Sequence, residues 1–183
     1  IVQRAQALEE RQMRKDDDSI LPKVGLDDVP LQMPEPEGRY DAETGATVYS
    51  RGTNGLVYQQ VVLPLPALSK DELLLLPYYT TLISEVGCGE LDYLQMQDRI
   101  SAESGGIGAS FTAKGQIDDV QAMTGYLIFS GKALSRNSKA LTRLLKDVYT
   151  GARFDEKERV REIIAQIRAR REQAVTGSGH ALA

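Results

Sequence analysis

Residues 107–131, IGASFTAKGQIDDVQAMTGYLIFSG, decide the fold class of this chain. Ile107, Ala109, Phe111 and Ala113 alternate with Gly108, Ser110, Thr112 and Lys114, the period-two pattern of a strand with one buried face. The polar stretch 116–121 turns the chain, and MTGYLIFSG at 123–131 returns as a second strand. Upstream, LVYQQVVLPL at 56–65 is rich in β-branched and aromatic residues and reads as a strand buried on part of both faces. Thr53-Asn54-Gly55 has tight-hairpin chemistry and would join it to a short strand at 47–50.

Helices occupy the intervals. Ser69 and Glu72 make a capping box for a helix that kinks or restarts at Pro77, runs to about Val86 and stops at Gly87. Asp92 and Gln95 repeat that signature ahead of Tyr93, Met96 and Ile100, and Gly105-Gly106 closes the helix. Ala140, Leu141, Leu144, Leu145 and Val148 mark one face of a third helix, closed by Gly151. Asp155 and Glu158 open the last, whose inner stripe is Val160, Ile163, Ile164 and Ile167 and whose break is Gly177-Ser178-Gly179. The predicted order is ββααββαα, an α+β fold with an antiparallel sheet and helix pairs packed on one face.

Three regions are expected. Residues 1–18 read as the end of a linker helix with Val2, Ala5, Leu8 and Met13, terminated by Asp16-Asp17-Asp18, whose charges oppose the helix dipole. Residues 19–46 read as a connecting strap in which Pro22, Pro30, Pro34 and Pro36 favour extended backbone, anchored by Leu21, Val24, Leu26, Val29 and Leu31. Residues 47–183 form the compact domain. Because the chain starts at Ile1 and stops just past a Gly-rich break, it reads as a piece cut from a longer polypeptide and truncated at its C-terminus. Surfaces laid bare by such a cut, above all the helix in residues 1–15, predict self-association.

Composition excludes several functions. The chain has 183 residues, 42% hydrophobic and 26% charged, with net charge −4 and an isoelectric point near 5.2. That balance argues against nucleic acid, whose phosphates demand surplus Lys and Arg. The apolar run at 73–76 is far too short for a membrane span. The lone Cys88 offers no disulfide, which suits the cytoplasm or an organelle matrix.

The chain carries little catalytic chemistry. A zinc site needs about three or four convergent imidazoles, thiolates or carboxylates, and there is one His, His180, and one Cys. His180 suits a hydrogen-bonding role at a helix break. Cys88, between Gly87 and Gly89 at a helix C-terminus, lacks the positive surroundings that activate a thiolate. Arg159, Arg161, Arg168, Arg170 and Arg171 interleave with Glu156, Glu158, Glu162 and Glu172, which reads as i,i+4 pairing on a solvated helix face. Gly105-Gly106-Ile107-Gly108 leads from helix to strand, the reverse of a phosphate loop. The Asp118-Asp119 loop reads as merely solvated. No catalytic, cofactor-binding or metal-ligating residue is predicted.

Several segments in order, TNGLVYQQVVLPLPALSKDELLLLPYYTTLISEVGCGELDY from 53, SGGIGASFTAKG from 104, YLIFSGKALSRN from 126 and ARREQAVTGSGHALA from 169, resemble the third of four homologous domains in insulinase-type zinc metallopeptidases, presequence-protease branch. The resemblance implies a non-catalytic domain preceded by the end of an inter-half linker. It implies that the family's inverted zinc motif, His-x-x-Glu-His, falls on Tyr78, Thr81 and Leu82, its third ligand near Ala169 and its supporting Glu on Glu162. Zinc and catalysis would then reside in the parent protein's N-terminal domain. The implied partners are the other domains of the same polypeptide and a peptide substrate, with Gly108, Ser110 and Thr112 as candidate chamber-wall residues. An inactive peptide-binding paralogue and a structural subunit of the processing-peptidase type are the alternatives. The Pro-rich strap favours the single-chain peptidase.

Overall fold

The computed structural model describes residues 2–14, 18–33, 35–119 and 121–177. The chain divides into two compact units, Ile1–Arg51 and Gly52–Ala183.

In the first unit, helix α1 (Val2–Met13) is followed by 3-10 turns at Asp18–Ile20 and Leu26–Asp28. Strands β1 (Arg39–Asp41) and β2 (Ala46–Val48) then pair antiparallel, Tyr40 opposite Thr47. Gly45 takes φ +67 and the Asp41 carboxylate accepts from Glu43 N at 3.0 Å, which tightens the connection. This corrects the expected hairpin: residues 46–48 pair backwards with 39–41, not forwards with the strand at 56. The proposed strap anchors Leu21, Val24, Leu26, Val29 and Leu31 are all exposed.

The second unit is built on a three-stranded sheet of β3 (Leu56–Pro64), β4 (Ile107–Gly115) and β5 (Met123–Leu134), in the order β3-β5-β4. Both pairings are antiparallel, with Val61 and Ala109 flanking Phe129. Helices α2 (Lys70–Leu82), α3 (Tyr93–Glu103), α4 (Ser138–Gly151) and α5 (Lys157–Gly177) complete it. Within this unit the order is therefore βααββαα rather than the ββααββαα read from the sequence. The strand missing from that count is β2. Thr53-Asn54-Gly55 still forms a tight turn, with Asn54 at φ +49 and Gly55 at φ +77, but it leads into β3 from irregular chain.

Directly opposed residues share a face, so the register assigns faces throughout the sheet. Leu127, Phe129, Gly131 and Ala133 of β5 face the helices, joined by Val57 and Leu63 of β3 and Ile107 and Ala109 of β4. Leu141, Leu144, Leu145 and Val148 of α4 and Met96 and Ile100 of α3 close that core. Gly131 lets α4 approach, since a Cβ there would lie 2.7 Å from Leu141 Cδ1. β3 is an edge strand: of its outer face only Leu56 is partly buried, while Tyr58, Gln60 and Val62 are exposed, so the burial expected on part of both faces is confined almost wholly to the helix-facing side.

Both capping boxes are present: Ser69 with Glu72 at α2, and Asp92 with Gln95 at α3. The two Ser69 hydrogen bonds hold the Glu72 carboxyl below its ordinary value. α2 passes through Pro77 without interruption and ends at Leu82, short of the expected Val86. Ile83 and Val86 lie in the turn beyond it and are fully buried. α5 is rotated from expectation: Ile163 is 2% exposed and Ile164 is 41% exposed. Leu144→Ala and Ile163→Ala should each cost about 3 kcal/mol as cavity-forming changes, and Ile164→Ala under about 1 kcal/mol. Urea denaturation with unchanged slope checks this. Equal losses at 163 and 164 would show that the assigned face of α5 is wrong.

Candidate functional site

The junction of α2, β4 and α5 forms a groove of about 370 Å³. Its α2 wall is Pro77, Thr80 and Thr81, its β4 wall Ala109, Ser110 and Phe111, and its α5 wall Ile167, Arg170 and Arg171. Pro77 has no N–H to donate back along its helix. The Thr80 and Thr81 hydroxyls donate to the carbonyls of Leu76 at 3.0 Å and Pro77 at 2.9 Å. That spends both hydroxyl protons inside the helix. Phe111 opposes Leu127 on the core face of the sheet yet is 41% exposed, because it sits at the groove.

The positions onto which the resemblance carries the zinc motif come to this junction only in part. Thr81 lines the groove. Tyr78 lies beside it, with the Arg171 guanidinium 5.2 Å from its ring centroid and Arg171 Nη1 donating to its hydroxyl at 3.4 Å. Leu82 is buried with Val86 and Ile163. Ala169 is exposed and outside the groove lining, where Ile167 and Arg170 stand instead. Glu162 is ion-paired to Arg159 at 2.9 Å. A phenol, an alcohol and an alkyl group are not a donor set for zinc. Among the described residues, no three His, Cys, Asp or Glu side chains are placed to hold a metal ion. His180 lies outside the described residues.

Gly108, Ser110 and Thr112 all lie on the face of β4 opposite to the core, across from Ser130, Ile128 and Tyr126. They do not share one concavity. Ser110 lines the groove, while Gly108 borders a separate depression with Tyr58, Gln60, Gly106, Ser130 and Lys132.

The arginines, read together from the sequence as one paired and solvated face, divide into two groups. Arg159 binds Glu85 and Glu162, Arg161 binds Glu158, and Arg168 binds Glu172. Arg170 and Arg171 take no carboxylate among the described residues, and both face the groove. The sequence carries a signal for this: positions three and four residues from Arg170 and Arg171 hold Ile167, Gln166, Gln173, Ala174, Val175 and Arg168, none of them acidic.

A second cluster fixes the turn after α2. Glu156 accepts from Gly87 N at 2.9 Å and from Tyr93 N, the first residue of α3, at 3.2 Å. A Cβ at Gly87 would meet Leu91 O at 2.6 Å, so glycine is required there. Arg159 lies over the Tyr93 ring at 4.7 Å. Cys88 is buried, its thiol against Asp147 O at 3.1 Å, and burial, then the Asp147 charge, push its pKa up against the smaller pull of Arg99 and Arg153. That is the setting of an inert cysteine.

An antiparallel sheet covered by helices, with a groove between one sheet edge and two helices, is an α+β scaffold. The family described as peptidase M-16C associated matches residues 1–183, and the chain belongs to it. It is 28% identical over 166 residues to "Presequence protease, mitochondrial" of Danio rerio, covering 90% of this chain and 16% of that protein. "Presequence protease 1, chloroplastic/mitochondrial" of Arabidopsis thaliana is 24% identical, with 89% and 15% covered. "Protein HypA" of Clostridium perfringens (strain 13 / Type A) is 27% identical, with 100% and 19% covered. The chain thus spans less than a fifth of the length of each of these relatives. The family match extends over residues 1–51 as well as the second unit.

Glu156→Gln should destabilise the chain by about 1–2 kcal/mol, as expected for loss of charge-assisted hydrogen bonds to two amides. Glu158→Gln, which removes an exposed ion pair, should cost under about 0.5 kcal/mol. Denaturation midpoints compare the two. Equal small effects would show that Glu156 does not hold the turn.

Proposed function

We propose that this chain is a catalytically silent domain of a peptide-degrading zinc metallopeptidase and forms part of the wall of the chamber that confines the substrate. The carrying observation is the family match over residues 1–183, joined by proteins named presequence proteases along about 90% of the chain. Tyr78, Thr81 and Leu82 at the zinc-motif positions support silence, since none of them is a zinc ligand or a general base. Zinc and the base would come from another domain of the longer polypeptide. The mitochondrial and chloroplastic names of the relatives support an organelle matrix as the compartment. Among the described residues no helix is long and apolar enough to cross a membrane.

The other domains of the same polypeptide are the expected partners. Exposed Leu73, Leu74 and Leu75 on α2 and Val2, Leu8 and Met13 on α1 provide apolar surface for them. Gly108, Ser110 and Thr112 are the chamber-facing positions, where short side chains leave room for extended peptide. The test is Ser110→Trp and Thr112→Trp in the full-length polypeptide. Cleavage of long peptides should slow relative to short ones, measured as the ratio of kcat/KM values. An unchanged ratio in both variants contradicts the chamber assignment.

A further inference from the structure

The groove between α2, β4 and α5 combines three features that together specify a ligand. Its floor is apolar, from Pro77, Ala109, Phe111 and Ile167. Its rim carries two guanidiniums and no lining carboxylate, although the chain as a whole is negative. Its β4 wall is a sheet edge, with β5 as the strand partner on one side only.

Each feature recognises a different part of a peptide. Guanidinium groups without a carboxylate are the strongest general recognition element for one, because two parallel N–H donors match its two oxygens. Arg170 has no hydrogen-bond or ion-pair partner among the described residues, so its donors are free. Arg171 is stacked on Tyr78, which holds its side chain beside the groove. A bare anion would use the arginines and leave the apolar floor wet. A peptide with an apolar side chain next to an acidic one uses both, and its extended backbone can pair along the edge of β4.

We propose that this groove binds an extended acidic peptide segment, in which a Glu or Asp side chain meets Arg170 and Arg171 and a neighbouring apolar side chain packs on Phe111 and Ile167. The site shares Ser110 with the outward face of β4 but includes neither Gly108 nor Thr112. It rests on the groove residues alone and stands whether or not the parent polypeptide is a peptidase.

The test is fluorescence anisotropy of the full chain with a labelled peptide of alternating Glu and Leu, against its Lys and Leu counterpart. The acidic peptide should bind at least about tenfold more tightly, and Arg170→Gln with Arg171→Gln should weaken it by at least about tenfold, since both charge-assisted contacts to the carboxylate are lost. Arg161→Gln and Arg168→Gln, which remove arginines already paired within α5, should leave it unchanged. Circular dichroism confirms that each variant is folded, and Arg170→Gln alone, which spares Tyr78, should show the same direction. Equal binding of both peptides, or an undiminished Arg170→Gln variant, overturns the proposal. Displacement by inorganic phosphate at the peptide's own concentration also overturns it, by revealing an anion site indifferent to the floor. No binding of the acidic peptide to the folded chain does the same.

Discussion

The second unit depends on the packing of α4 across β5. Among the described residues, β5 is the only strand of its sheet hydrogen-bonded on both sides, so β3 and β4 are positioned through it. Its helix-facing row, Leu127, Phe129, Gly131 and Ala133, meets Leu141, Leu144 and Leu145 at a separation that Gly131 permits by having no side chain. Burial of these residues, at roughly 1.5–3 kcal/mol for each large side chain, is the main favourable term. β3 contributes less, since Tyr58 and Val62 on its outer face stay largely in water and Val61 is only partly covered. The Glu156 carboxylate adds a polar tie, joining the start of α5 to the turn that connects α2 and α3.

This packing sets the functional geometry. With β5 at the centre, β4 is left at an edge, and α2 and α5 converge beside it. Tyr78 and Leu82, one turn apart on α2, meet α5 at Arg171 and Ile163 respectively. On the proposed reading, the corresponding helix of a catalytic domain would present zinc ligands. α2 itself presents a phenol, a hydroxyl and a buried leucine, and α5 opposite it presents arginines. Scaffold and chemistry are separable, as folds commonly are from the sites they carry.

Elements fixed by local physics are legible in the sequence. Ser69 with Glu72, Asp92 with Gln95, and the Leu141 to Val148 stripe need only neighbours within one or two turns to be recognised. Properties set by distant chain are not. Residues 46–48 are as compatible with a forward as with a backward hairpin, and the choice falls to Arg39–Asp41. The apolar run of β3 resembles a central strand, but its place at the edge is decided by β5, roughly seventy residues away. On α5, Ile163 and Ile164 are adjacent, so a small rotation of the helix decides which is buried. The resemblance singles out Tyr78 and Thr81, whereas the overall interleaving of charges groups Arg170 and Arg171 with three arginines that do find carboxylates, a grouping that only the spacing of each arginine from its nearest acids undoes.

The claim on which the functional account turns is that this unit keeps a peptidase-family scaffold without its metal. The direct measurement is zinc content by elemental analysis after the chain is equilibrated with zinc and dialysed, with peptide cleavage assayed on the same sample. The account predicts zinc far below one per chain and no cleavage. One tightly held zinc per chain, released by a chelator together with any peptidase activity, would contradict it.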